Sequence, residues 1–89
     1  RGFGRFMVRQ ALRAAFDDLG LKRVDLGVFD FNTIAIRCYE LEGFVKEGHL
    51  RQARRVGDET WSLDLMGILV SEWRQIEDAR SKPADGDAP

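Results

Sequence analysis

The sequence predicts an α/β fold: a helix, a strand, a second helix, a β-hairpin and a short closing helix. Three observations predict it. Apolar residues recur at helical spacing from Val8 to Leu19 and again from Ile34 to Leu41. The period changes to two in Val24–Val28 and in Trp61–Leu69. Gly20, Gly43 and Gly57 stand where one element ends and the next begins. A strand set between two helices also points to a parallel sheet.

The elements follow in order. Gly2-Phe3-Gly4 reads as a turn, and the helix starts at Arg5. Val8, Leu12, Ala15, Phe16 and Leu19 form its apolar stripe, with Arg9, Arg13 and Asp17 off it. Gly20 stops the helix, and Leu21 is placed for the hydrophobic contact of a capping motif. Glycines ahead of a helix leave its first N–H groups open to an anion such as phosphate. Val24, Leu26 and Val28 then alternate with Arg23, Asp25 and Gly27 as a strand with one apolar face. Asn32 is a good N-cap for a helix running from Thr33 to Glu42. Ile34, Cys38 and Leu41 form its stripe, Gly43 ends it, and Phe44 folds back onto it. Phe44–Val56 and Thr60–Val70 are two strands joined at Gly57-Asp58. The end of the second is apolar on both faces, which makes it central in the sheet. Ser71 is placed to cap the last helix, anchored by Trp73 and Ile76.

Composition limits the function. With 89 residues the chain is one domain at most. A net charge of −1 gives no pull toward nucleic acid or an anionic membrane. No apolar run is long enough for a membrane helix. A single cysteine, Cys38, excludes an internal disulfide and fits a reducing, cytoplasmic setting. It has no histidine base at helical spacing and reads as packing. His49 is the only histidine, so no metal site is expected. Arg51, Arg54 and Arg55 form a basic cluster that reads as solvated surface or as an attractor for acidic groups. The chain begins abruptly at Arg1 and is expected to be a piece of a longer protein. Residues 81–89, with two prolines and no large apolar side chain, are expected to be a disordered tail.

The pattern Asn32-x-x-Ala35-Ile36-x-x-Tyr39-Glu40-x-x-Gly43-Phe44 resembles the signature of the GNAT superfamily of acetyl-CoA-dependent N-acetyltransferases. The later runs Gly43–Arg51, Gly57-Asp58, Asp64–Leu69 and Glu72-Trp73 resemble its ribosomal-protein and polyamine acetyltransferase branch. The resemblance implies that residues 1–80 are the C-terminal half of a GNAT-like fold. By the same resemblance the earlier elements, including the strand that polarises the acetyl carbonyl, are expected to lie outside this sequence.

In the family, the pyrophosphate of coenzyme A lies on a loop of pattern Arg/Gln-x-x-Gly-x-Gly/Ala. Arg1 matches its leading residue in one register. In the preferred register Gly2 and Gly4 are its two glycines, and Arg1 is the variable residue before them. The resemblance thus implies cofactor contacts from Arg1, Gly2, Phe3, Gly4 and Arg5, and from Asn32 and Ala35 near the thioester arm. It implies that the only tyrosine, Tyr39, is the general acid. A phenol is protonated at neutral pH, so it can protonate a departing thiolate. Glu40, Glu42 and Glu47 are carboxylates, but no spacing singles one out as the base. The implied activity is acetyl transfer from acetyl-CoA to a primary amine, whether a protein N-terminus, a polyamine or a small amine. The alternative is a non-catalytic acyl-CoA-binding or interaction module. Half a sheet exposes a strand edge and apolar surface, so a homo-oligomer or association through that edge is expected.

Overall fold

Three strands form one sheet in the order β1-β3-β2, with all three helices packed on one of its faces. A computed structural model describes residues 2–81. The elements are α1 (Gly2–Arg13), a π-helical turn (Ala14–Asp18), β1 (Arg23–Phe29), α2 (Thr33–Leu41), β2 (Val45–Val56), β3 (Glu59–Leu69) and α3 (Val70–Ser81). Their order and type match the sequence reading. Arg1 and residues 82–89 lie outside the described residues, and with them most of the expected tail. Ser81 itself closes α3, its Oγ donating to the Glu77 carbonyl at 2.9 Å.

The sheet is antiparallel, not parallel. β1 pairs with β3, and β3 with β2, both antiparallel. β1 and β2 do run in the same direction, as a strand–helix–strand unit requires. The crossover through α2 leaves a gap one strand wide, and the hairpin returns β3 into it. β3 is therefore central, which explains why Met66, Gly67 and Ile68 are all buried. Val28, Met66 and Ile68 share one face and meet Leu12 and Phe16 of α1, Phe44, and Trp73 of α3 in a single core. The Phe16 and Trp73 rings lie 5.1 Å apart.

Several local expectations need correction. α1 starts at Gly2, so the glycines form its first turn rather than a turn before it. Its end changes to π-helical hydrogen bonding, with Leu19 N–H on the Ala14 carbonyl at 2.9 Å. That extra residue rotates Leu19 out of the apolar stripe, and it is 71% exposed. Gly20 does adopt φ +68, and Leu21 N–H closes the cap on the Ala15 carbonyl at 2.9 Å. The Leu21 side chain stays exposed and makes no staple. On α2, Ile34 and Leu41 are exposed, and the side facing the core is Ala35, Ile36 and Tyr39. Thr33, Arg37 and Glu40 form a polar stripe on the opposite side, so the polar residues of this helix mark its buried face better than the apolar ones do. α3 begins at Val70, which puts Ser71 inside its first turn. Glu72 does the capping instead, its Oε1 accepting from Leu69 N–H at 2.9 Å.

Candidate active site

The site is built where the start of α1 crosses α2. An α-helix that begins at Gly2 leaves the N–H groups of Gly2, Phe3 and Gly4 without partners in the helix, at its positive end. Among the described residues, an added Cβ on Gly4 would meet the Cys38 Sγ alone, at 3.6 Å. α2 is fixed at both ends. Asn32 Oδ1 accepts from Ala35 N–H at 3.2 Å, the expected N-cap. Gly43 takes φ +110, and Phe44 N–H returns to the Tyr39 carbonyl at 3.0 Å. A side chain at Gly43 would collide with Ile76 and come within 3.0 Å of Ile68. The Phe44 ring is buried against Tyr39, centroids 5.4 Å apart, which orients the phenol-bearing ring.

Between the helices runs a cleft of about 430 Å³ whose walls are Gly4, Met7, Val8, Asn32, Ile34, Ala35, Cys38 and Tyr39. A second hollow of about 300 Å³ continues past Tyr39 along α1 to the outer edge of β1 at Val24–Leu26. The structure thus brings Gly4, Asn32, Ala35 and Tyr39 into one cleft. Gly2 and Phe3 lie in the same first turn, and Arg1 is outside the described residues. Arg5 is there by its backbone, but its guanidinium is turned away to Glu42. Cys38 does line the cleft, although its sequence neighbour Tyr39 lines it too. Two adjacent helical positions both face a groove wide enough to take in both directions. Gly27, by contrast, faces the opposite side of the sheet, where an added Cβ would touch Leu63 at 3.4 Å.

Among the described residues no carboxylate or imidazole lines the first cleft; Asp25 is the carboxylate of the second hollow, and it accepts from Arg23 Nε at 3.1 Å. Glu42 is buried and accepts from Arg5, Arg9 and Arg80. Burial alone would push its carboxyl up, but the bonds from the three arginines outweigh it and hold the group below the usual carboxylate range. Glu47 binds Arg23 on the far face of the sheet. Glu40 is exposed, 3.9 Å from Arg37. His49 Nδ1 donates to the buried Asp64 at 2.8 Å, and that bond lowers the Asp64 carboxyl. The pair sits at the hairpin. Arg54 and Arg55 bond backbone carbonyls of their own hairpin, at Ala53 and Gly57.

The acetyltransferase (GNAT) family model matches residues 1–44. That span takes in α1, β1 and all of α2. The spermidine N(1)-acetyltransferase of Vibrio cholerae is 34% identical over 73 residues, which are 82% of this chain and 42% of the relative. A prophage-derived N-acetyltransferase of Bacillus subtilis, YokL, is 40% identical over 52 residues, 58% of this chain and 29% of the relative. The crystal structure of spermidine N-acetyltransferase from Vibrio cholerae in complex with CoA and spermine superposes with a TM-score of 0.79 at 34% identity. It covers 83% of this chain and 44% of that structure. The chain is a GNAT-family sequence. It spans less than half the length of the curated relatives it matches. Within the GNAT frame, Gly4, Asn32, Ala35 and Tyr39 are the positions that the resemblance marks, and here they share a cleft.

Proposed function

We propose that this chain is the acetyl-CoA-binding half of a GNAT N-acetyltransferase whose acceptor is a primary amine, with polyamines as the leading class. The observation that carries the reading is the cleft that joins the open first turn of α1 to Tyr39. The two ends fit the two ends of one ligand. Unpaired N–H groups at a helix start suit a pyrophosphate. Apolar walls from Met7, Val8, Ile34 and Ala35 suit an extended aliphatic arm. The cap uses the Asn32 oxygen, and its amide nitrogen has two N–H groups to offer that arm.

The chemistry asked of this chain is limited. The amine nitrogen bonds to the acetyl carbon, the carbon–sulfur bond breaks, and the sulfur leaves with the electron pair. Tyr39 donates its phenolic proton to that sulfur. The proton lost by the amine goes to a group other than the described walls of this cleft, among which there is no carboxylate or imidazole. The polyamine acceptor is supported by the spermidine acetyltransferase relative and by the neighbour that binds CoA and spermine. The test is Tyr39→Phe in the active acetyltransferase, with spermidine as acceptor. The expected result is a turnover about 100-fold lower, within the usual range for losing a general acid, with acetyl-CoA affinity kept. Unchanged turnover would remove Tyr39 from the mechanism.

A further inference from the structure

Glu42 is the most deeply buried charged residue of the described chain, and the reaction above makes no use of it. It caps α2, three residues beyond Tyr39, and its side chain is closed to solvent. Its Oε2 accepts from Arg5 Nε at 2.6 Å. Its Oε1 accepts from Arg9 Nε at 2.9 Å and from Arg80 Nη2 at 2.9 Å. One guanidinium would neutralise it. The three together tie two further helices to the end of α2: Arg5 and Arg9 come from α1, and Arg80 from α3.

The geometry links this cluster to the cleft. Gly2, Arg5 and Arg9 recur at helical spacing, so the clamp grips the stripe of α1 that starts at its first glycine. Gly4, Met7 and Val8 lie on the neighbouring stripe and form the cleft wall. On α2, Ala35, Tyr39 and Glu42 likewise follow helical spacing, so the clamp and the phenol lie on one side of that helix. We propose that Glu42 is a positioning residue: through Arg5 and Arg9 it holds the first turn of α1 in register with Tyr39, so that one CoA molecule reaches both. This rests on the acetyl-CoA reading above.

The test is calorimetric titration of the full chain with acetyl-CoA and, separately, with inorganic pyrophosphate. Wild type is compared with Glu42→Gln, and with Glu47→Gln as a matched charge change on the far face of the sheet. Positioning predicts that Glu42→Gln weakens acetyl-CoA by about tenfold, within the usual range of coupling between sites. Pyrophosphate, which needs the turn alone, and Glu47→Gln stay at wild-type affinity. A role in stability alone predicts that folded Glu42→Gln binds acetyl-CoA like wild type, and that result overturns the proposal. If Glu42→Gln does not fold, Arg9→Ala decides, because Arg9 is half exposed. It should show a smaller loss for acetyl-CoA and none for pyrophosphate, and unchanged acetyl-CoA binding overturns the proposal. A wild-type chain that does not bind acetyl-CoA removes the cofactor reading itself, and this inference with it.

Discussion

On the face of the sheet that carries the helices, Met66 and Ile68 are completely buried. On the opposite face Val45, Leu50 and Leu69 are 42–50% exposed. Each face also holds an arginine–glutamate cluster. Glu42, on the helix side, is sealed from water and accepts from three guanidinium groups. Glu47, on the open side, is paired with Arg23 across Gly67, with both side chains at least one third exposed. The chemistry is the same and the surroundings differ. In water a guanidinium and a carboxylate lose little when parted, because solvent and salt replace the partner. Around a carboxylate closed to solvent no water can take the partners' place, so the Glu42 cluster ties three helices where the Glu47 pair ties nothing comparable.

Breaking the buried cluster should therefore have the largest effect. Glu42→Ala removes three charge-assisted hydrogen bonds on one carboxylate, and the expected loss is about 3 kcal/mol of unfolding free energy, measured in urea. Gly43→Ala comes next. It places a Cβ against Ile68 and Ile76 at a backbone angle that L-residues avoid, and about 2–3 kcal/mol should go.

A pH series sharpens the comparison. The Glu42 carboxyl is held below its unfolded value, so its contribution is complete above the unfolded value. It is lost as pH falls through the folded one. Wild type should lose stability below about pH 4 more steeply than Glu42→Gln does, read from melting midpoints across that window. Arg23 likewise holds the Glu47 carboxyl down, but across an exposed pair. Glu47→Gln should leave the melting midpoint at neutral pH almost unchanged, and adding salt should erase what difference there is.

Much of this was legible in the sequence, for identifiable reasons. Gly20, Gly43 and Gly57 all take positive φ where the sequence asks for a stop or a turn. Asn32 caps α2, and the doubly apolar end of β3 lies at the centre of the sheet. These are local signals, readable within a few residues. What failed was set at a distance. The strand order depends on where the hairpin returns, which no strand's own pattern records. Ile34 and Leu41 border the buried side of α2, and whether they are covered depends on what packs beside the helix. Glu42 looked like any other carboxylate because its partners lie 37, 33 and 38 positions away. The cleft itself was visible only through the motif that spans Asn32 to Phe44, since nothing local places Gly4 beside Cys38.

The measurement that bears most directly on this account is the titration of the chain with acetyl-CoA, with free CoA and a Gly4→Leu variant as comparisons. The account predicts saturable binding of both ligands by the wild-type chain, and its loss when leucine covers the first turn of α1. Heats no larger than dilution for the wild-type chain, or equal binding by Gly4→Leu, would contradict the claim that this cleft is where the cofactor lies.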